Sequence, residues 1–272
     1  MLRQRVIVTA ILLPIGLALI VLGGVAFTLF IALILAIAAW EYAKIFKNGS
    51  HQPAEVIVIV GTAALTIGRG ISGFQHVDWI LGLIIIASMI YHMIAYERGR
   101  DKAGTDFSIT ISGIVYVGWL GAYLVSLRNL PNGAWWFMVS LPSIWAADSG
   151  AYFYGIRYGK RKLSPRLSPK KTVEGYLAGV VCGPIFGVAF SALAISQVGG
   201  EVGFSLLRGG ILGLILAIFT TLGDLGESMF KRQFGVKDSS RLLPGHGGVF
   251  DRIDSWIWGA SISYYIITLF FN

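Results

Sequence analysis

Residues 228–254 read SMFKRQFGVKDSSRLLPGHGGVFDRID, and this polar stretch joins two apolar runs, 211–230 and 253–271. It contains five basic side chains, three carboxylates and a histidine inside a glycine-rich turn. Apolar runs of about 20 residues are long enough to cross a bilayer. The pattern therefore predicts a membrane protein that keeps its chemistry where its helices leave the lipid.

The composition excludes an ordinary soluble domain. Hydrophobic residues make up 55% of the 272 residues, charged residues 13%, and the mean hydropathy is +0.71, whereas soluble domains carry about 25% charged residues. Because helices satisfy their own backbone hydrogen bonds in lipid, we predict an all-α polytopic membrane protein. The single cysteine, Cys182, excludes an internal disulfide. The net charge of +8 is distributed as expected for binding membrane lipid headgroups and phosphates, not nucleic acid.

Nine apolar runs are candidates for transmembrane helices, of which the third is short and interrupted by glycine. The predicted spans are 6–21, 25–45, 56–71, 79–96, 109–127, 134–154, 173–195, 211–230 and 253–271. We expect one integrated membrane domain. In it, residues 1–130 form the lipid pocket and oligomer contacts, and residues 131–272 supply the catalytic helices and their cytoplasmic loops.

The basic residues are distributed unequally between the two ends of these spans. Nine spans place 19 of the 22 basic residues on the N-terminal side and leave Arg69, Arg128 and Arg208 on the other. Because Lys and Arg accumulate in cytoplasmic loops, we predict a cytoplasmic N-terminus and an outward C-terminus. The two longest polar loops then face the cytoplasm.

Acidic side chains in or beside the spans are the first functional candidates, because charge is costly in lipid. Helical spacing places four polar residues on one face of span eight: Asp224, Glu227, Ser228 and Lys231. Asp251 and Asp254 are one turn apart at the start of span nine. Carboxylates from neighbouring helix ends suit magnesium, which prefers a few carboxylates together with substrate phosphates. Structural ion pairs with Lys231 are the alternative.

The basic residues of the polar stretch are candidates for binding phosphate. Lys237, Arg241 and Arg252 are interleaved with acids such as Asp238, whereas Lys231 and Arg232 also serve as topology markers. The glycines at 245, 247 and 248 predict a turn whose backbone N–H groups approach a phosphate closely. His246 lies between these glycines, and phosphate binding, proton transfer and bracing of the loop remain open as its role.

A second basic loop precedes span seven, with seven basic residues between 157 and 171. Such a patch favours anionic headgroups, and we predict phosphate contacts from Lys170, Lys171 and Thr172. Thr172 is also predicted to cap the helix that follows, with Glu174 in its first turn.

Three further polar residues lie within the spans. Asp148, in span six, is predicted to face a polar cavity. Glu41, beside Lys44, is predicted to form an interfacial ion pair, and His92 to be a packing histidine with its hydrogen bonds satisfied.

The whole of 228–254 resembles the signature of the phosphatidate cytidylyltransferases, also called CDP-diacylglycerol synthases. Residues 148–155 (DSGAYFYG) and 168–175 (SPKKTVEG) resemble two further motifs of that family. The resemblance implies a homodimeric integral membrane enzyme that converts CTP and phosphatidate into CDP-diacylglycerol and pyrophosphate with magnesium. It also implies that Asp224 and Asp251 match the metal-binding acids, and it leaves a second cation open.

On this basis we expect in-line nucleotidyl transfer at the cytoplasmic face of a bacterial-type inner membrane. Asp224, Asp251, Lys237, Arg252 and His246 are the expected catalytic residues. The expected substrate-binding residues are Asp148, Lys170, Lys171, Thr172, Glu174, Glu227, Ser228, Lys231, Arg232, Asp238, Arg241, Gly247, Gly248 and Asp254. A CTP-dependent polyprenol kinase and an ion-coupled transporter are the alternatives, although no inverted repeat favours a transporter.

Overall fold

The computed structural model describes residues 2–75, 77–199, 203–243, 245 and 247–271, with the backbone alone for residues 2–9 and 11. Ten α-helices dominate this part of the chain. They are α1 (Leu2–Leu22), α2 (Gly24–Lys47), α3 (Glu55–Ser72), α4 (Val77–Glu97), α5 (Ala103–Gly113), α6 (Tyr123–Arg128), α7 (Gly133–Tyr158), α8 (Val173–Val198), α9 (Leu206–Gln233) and α10 (Phe250–Ile266). Two π-helical segments, Ile114–Trp119 and Ile267–Phe271, follow α5 and α10.

Each predicted span coincides with helical structure, the fifth being built from α5, a π-helical segment and α6. Within the described residues, six helices are long and apolar enough to cross a membrane: α2, α3, α4, the run Ala103–Arg128, α8 and α9. The prediction of a helical, multi-pass membrane protein is thereby confirmed. Nine crossings and the orientation of the termini stay predictions.

The chain divides into two compact units that do not follow chain order. The first unit comprises Met1–Asn129 and Phe230–Ile253, and the second comprises Leu130–Met229 and Asp254–Asn272. The divisions fall inside α9 and α10, so most of the polar stretch belongs with the N-terminal helices. The roles predicted for residues 1–130 and 131–272 stay predictions.

An aromatic cluster in the first unit fixes the end of α9 against α2. Tyr42 and Phe46 contact the Phe230 ring at centroid distances of 5.7 and 5.5 Å, and Tyr42 also meets Phe250 edge-on at 6.2 Å. Tyr42 is fully buried and donates a hydrogen bond to the Ile109 carbonyl at 3.2 Å. Buried aromatic pairs of this kind contribute about 0.5–1.5 kcal/mol beyond their buried area.

Glycines set the packing of α8 and α9 in the second unit. Gly183 and Gly187 of α8 are one turn apart, as are Gly209 and Gly213 of α9. A Cβ on Gly183 would lie 2.7 Å from the Gly213 carbonyl oxygen. Small residues four apart let membrane helices approach at backbone distance, so side chains at these positions would push the helices apart.

A short β-hairpin interrupts the otherwise helical chain at the second basic loop. Strands β1 (Lys162–Ser164) and β2 (Ser168–Thr172) are antiparallel, and β2 leads directly into α8. The Glu174 carboxylate accepts hydrogen bonds from the backbone N–H groups of Lys160 at 2.9 Å and Arg161 at 3.1 Å. The all-α prediction therefore omits this hairpin. The two hydrogen bonds tie the chain just before the hairpin to α8 and order a segment that the sequence indicates only as a loop.

Candidate active site

Glu41 of α2 holds the polar stretch in the first unit. Its side chain is fully buried, and each carboxylate oxygen accepts one backbone N–H and one serine hydroxyl. Oε1 accepts from Ser240 Oγ at 2.5 Å and from Val249 N at 3.0 Å. Oε2 accepts from Ser239 Oγ at 3.0 Å and from Phe250 N at 2.6 Å. Four donors replace the water that a carboxylate loses on burial.

The interfacial ion pair predicted for Glu41 and Lys44 is therefore wrong. The sequence gives no local sign of the true partners, because they lie about 200 positions further along the chain. Lys44 instead packs over the Trp40 ring at 4.8 Å. His92, by contrast, is the packing histidine that was predicted: it is buried, and Nδ1 lies 2.8 Å from the Ser88 carbonyl oxygen.

Asp251, in the first turn of α10, is the second carboxylate that binds residues of the polar stretch. Lys231 Nζ lies 2.5 Å from Oδ1, and the two side chains are 10% and 6% exposed. Oδ2 accepts from Ser239 N at 2.9 Å, from Ser239 Oγ at 2.9 Å and from Gly248 N at 2.8 Å. Lys231 is thus an ion-pair partner of Asp251, and its contact with substrate stays a prediction.

The glycine-rich turn packs against these carboxylates. A Cβ on Gly248 would collide with Ser239 Oγ and lie 2.6 Å from Glu41 Oε2. The Gly248 N–H donates to Asp251, and the Gly247 N–H donates to the Leu243 carbonyl at 3.2 Å. Phosphate contacts at Gly247 or Gly248 would require these bonds to be exchanged, so both assignments stay predictions. His246 lies outside the described residues.

The other basic side chains of the stretch belong to residues close in sequence to those that bond Glu41 and Asp251. Lys237, Arg241 and Arg252 are exposed, as are Arg232 and Asp238. Exposed guanidinium and ammonium groups can meet an anion without first losing a buried partner. Their assignment to phosphate stays a prediction, and their exposure agrees with it.

Asp224 is the centre of the polar cluster in the second unit. Lys171, at the end of β2, lies 2.7 Å from Asp224 Oδ2, and the two side chains are 26% and 36% exposed. Ser228, one turn along α9, donates to Oδ1 at 3.3 Å. The carboxylate of Asp224 is therefore part-exposed and paired with the ammonium of Lys171.

Two further acids influence this cluster electrostatically. Asp148 of α7 interacts with Lys171 and Asp224, and Asp254 of α10 interacts with the same charges. Asp254 is buried and accepts the Ser255 N–H at 2.6 Å. Three carboxyl groups of this cluster, those of Asp148, Asp224 and Asp254, therefore interact with one lysine.

The remaining predicted site residues of the second unit have identifiable local roles. Thr172 caps α8 as predicted, since its Oγ1 accepts the Gly175 N–H at 3.2 Å. Glu174 holds the hairpin, Lys170 is exposed on β2, and Glu227 and Ser228 are buried on α9. Contacts of these residues with substrate stay predictions.

The two predicted metal ligands differ in how well they suit magnesium. Asp224 fits, because its oxygens are part-exposed and the lysine beside it occupies the place of a cation. Asp251 offers only Oδ1, by exchange with the Lys231 ammonium, because Oδ2 accepts two backbone N–H groups and shares the Ser239 hydroxyl with Glu41. No three His, Cys, Asp or Glu side chains in the described part of the chain form a metal site by themselves. Magnesium accepts substrate phosphate oxygens alongside one or two carboxylates.

The fold and these clusters define a multi-pass membrane protein with carboxylates and exposed cations suited to phosphate chemistry. The cytidylyltransferase family model matches residues 3–270, and the chain belongs to this family.

Curated relatives match the chain along most of its length. A Pseudomonas aeruginosa phosphatidate cytidylyltransferase is 37% identical over 94% of this chain and 93% of its own. Proteins of the same name from Synechocystis and Bacillus subtilis are 32% and 30% identical, each over 98% of this chain and over 96% and 98% of their own.

Proposed function

We propose that the chain transfers the cytidylyl group of CTP to phosphatidate, giving CDP-diacylglycerol and pyrophosphate. The observation that carries this proposal is the near full-length match to relatives named phosphatidate cytidylyltransferase. The part-exposed Lys171–Asp224 pair and the exposed cations of the polar stretch support it, because they suit a substrate with several phosphate charges.

The reaction is an in-line displacement at phosphorus. A phosphate oxygen of phosphatidate bonds to the α-phosphorus of CTP, while the bond from that phosphorus to the bridging oxygen breaks and pyrophosphate leaves with the electron pair. The attacking phosphate is ionised at neutral pH, so no strong base is needed. Such transfers depend on positioning and charge stabilisation.

Charge stabilisation is assigned to the basic residues. Lys237, Arg241 and Arg252 neutralise the leaving pyrophosphate or the lipid phosphate, and Lys170 and Lys171 hold CTP or the headgroup. Magnesium held by Asp224 and Asp251 would add positive charge at the triphosphate, with a second cation left open. Exposed apolar helix faces hold the acyl chains.

The test is pyrophosphate release by purified protein in detergent with CTP, phosphatidate and magnesium. Wild type is compared with Asp224→Asn and Asp251→Asn, and Asp101→Asn, an exposed acid in the loop after α4, is the matched control. We expect lipid-dependent release that the first two substitutions abolish and the control retains. Release that survives both would remove the metal assignment.

The same assay separates the alternatives. A polyprenol kinase would release CDP from CTP, and a transporter would turn over neither substrate in detergent. Absence of lipid-dependent pyrophosphate release from folded wild type would overturn the proposed function.

We further propose nine spans, a cytoplasmic N-terminus and an outward C-terminus in a bacterial-type inner membrane, with the reaction at the cytoplasmic face. The distribution of basic residues supports this topology. Reporter tags at the two termini should be accessible from opposite sides; access from one side would overturn an odd number of crossings. The family resemblance also implies a homodimer, which the mass of the detergent-solubilised protein tests.

A further inference from the structure

We propose that Glu41 is a positioning residue of the transfer reaction. Its carboxylate holds both ends of segment 239–250 and so sets the positions of the charged side chains beside those ends. The kinetic part of this inference rests on the proposed function, whereas the anchoring itself does not.

The hydrogen bonds of Glu41 join two points of the stretch that are ten residues apart. Ser239 and Ser240 lie at one end, and Val249 and Phe250 lie at the other. Lys237 and Asp238 directly precede the first point, and Asp251 and Arg252 directly follow the second. One buried carboxylate from α2 therefore fixes the backbone beside both groups of charged residues.

Ser239 connects Glu41 to the second carboxylate. Its Oγ lies 3.0 Å from Glu41 Oε2 and 2.9 Å from Asp251 Oδ2. Because a hydroxyl has one proton, the two carboxylates share a single donor. A change at Glu41 is therefore transmitted to Asp251 and to its partner Lys231.

The geometry requires a carboxylate at position 41. Each oxygen accepts one backbone N–H, from Val249 or from Phe250. A glutamine in either amide orientation would direct its NH₂ group at one of these N–H groups, and two donors cannot bond. Aspartate keeps the charge but withdraws it by one methylene from all four donors.

The absence of a side chain at Gly248 agrees independently with this role. A Cβ there would meet both Ser239 Oγ and the Glu41 carboxylate. The glycine thus leaves room for the Glu41 anchor, whether or not its backbone ever contacts a phosphate.

The experiment compares Glu41→Gln with Glu55→Gln. Glu55 begins α3 and forms an exposed ion pair with Lys47, so it receives the same substitution without losing a buried anchor. Two measurements are made on the purified full chain. The first is hydrogen exchange of peptides covering 238–250, and the second is kcat and KM for CTP and phosphatidate.

For Glu41→Gln we expect about 10-fold or faster exchange confined to 238–250. We also expect kcat/KM to fall on the order of 100-fold with KM raised for at least one substrate, because misplacement by about 1 Å has effects of this size. A merely structural loss of folded protein would lower the maximal rate at unchanged KM. Glu55→Gln should remain within about two-fold of wild type in both measurements.

A second variant covers the case in which Glu41→Gln does not fold. Ser240→Ala removes one donor and leaves the carboxylate with its other three, and it should show the same changes to a smaller degree. If Glu41→Gln folds, the effects of Glu41→Gln and Ser240→Ala should not add, because both substitutions act on the same hydrogen bond.

Wild-type exchange at 238–250 together with wild-type KM in Glu41→Gln, or in Ser240→Ala where the first variant does not fold, would overturn the inference. If wild type shows no cytidylyl transfer, the proposed function fails and the exchange measurement still decides whether Glu41 is the anchor.

Discussion

Each unit contains a lysine–aspartate pair, and the surroundings of the two pairs differ. In the first unit, Lys231 and Asp251 are 10% and 6% exposed, and Asp251 Oδ2 accepts three further hydrogen bonds. In the second unit, Lys171 and Asp224 are 26% and 36% exposed, and Ser228 adds one bond of 3.3 Å. Loss of either member of a buried ion pair strongly destabilises a protein. A part-exposed pair, in contrast, can exchange partners with little loss of stability.

The comparison separates two uses of the same residue types. The pair in the first unit belongs to a buried hydrogen-bond network of carboxylates, serines and backbone N–H groups, and this network holds a loop in place. The pair in the second unit keeps its charges within reach of a ligand. Loss of Lys231 should therefore reduce stability, whereas loss of Lys171 should mainly weaken the binding of substrate phosphates.

The largest effect on stability should follow from Lys231→Met. The substitution leaves Asp251 buried without its cation, which costs about 3–5 kcal/mol, and we expect a much lower thermal unfolding midpoint in detergent. Lys102→Met, at an exposed lysine, is the control and should unfold like wild type. If Lys231→Met were no less stable than Lys102→Met, the buried pair would contribute no more to stability than a part-exposed pair.

Gly248→Ala should have the next largest effect on stability. It tests the packing around Glu41 and Ser239 without changing any charge. Its Cβ would displace Ser239 Oγ or the Glu41 carboxylate, and overpacking of this kind costs about 1–3 kcal/mol. Gly82→Ala, where a Cβ meets open space within α4, is the matched control and should be neutral or slightly stabilising. Equal unfolding midpoints for the two variants would show that Ser239 and Glu41 can be displaced without loss of stability.

A smaller effect is expected from Thr172→Ala, which tests the second unit next to its own pair. The substitution removes the cap of α8 and should cost about 1 kcal/mol in the free energy of unfolding. Thr172→Ser keeps the oxygen that accepts the Gly175 N–H and should retain most of that stability. Were the serine variant as unstable as alanine, the packing of the threonine methyl group would explain the effect better than the cap.

Periodicity and apolar length were sufficient to predict where the helices lie, because each span satisfies its own backbone and needs no distant partner. They did not predict the hairpin at 162–172, since its order depends on Glu174 accepting two backbone N–H groups from the preceding loop. The role of Glu41 was missed for a similar reason. Neighbouring residues suggested an interfacial acid, and only tertiary structure brings Ser240 and Phe250 to it.

The structure also gives a contact for each of the three basic residues on the predicted outer face, and the sequence alone does not predict these contacts. The Arg69 guanidinium packs over the Phe74 ring at 3.7 Å, and the Arg128 guanidinium donates to the Val21 carbonyl at 2.9 Å. Arg208 donates to the Gly203 carbonyl at 2.6 Å. Each of these three arginines has a structural partner, and the topology stays a prediction.

The smallest effect on stability should come from Lys171→Met, which makes the sharpest contrast with Lys231→Met. Because the Lys171–Asp224 pair is part-exposed, we expect the free energy of unfolding to change by no more than about 1 kcal/mol. Cytidylyl transfer should nevertheless fall roughly 100-fold, the effect of removing one charge-stabilising group from an active site. Lys162→Met, at an exposed lysine of β1, is the control for nonspecific loss of basic charge. A stable Lys171→Met protein with wild-type transfer would move substrate binding away from this pair, whereas a loss of stability equal to that of Lys231→Met would mean that both pairs serve the fold.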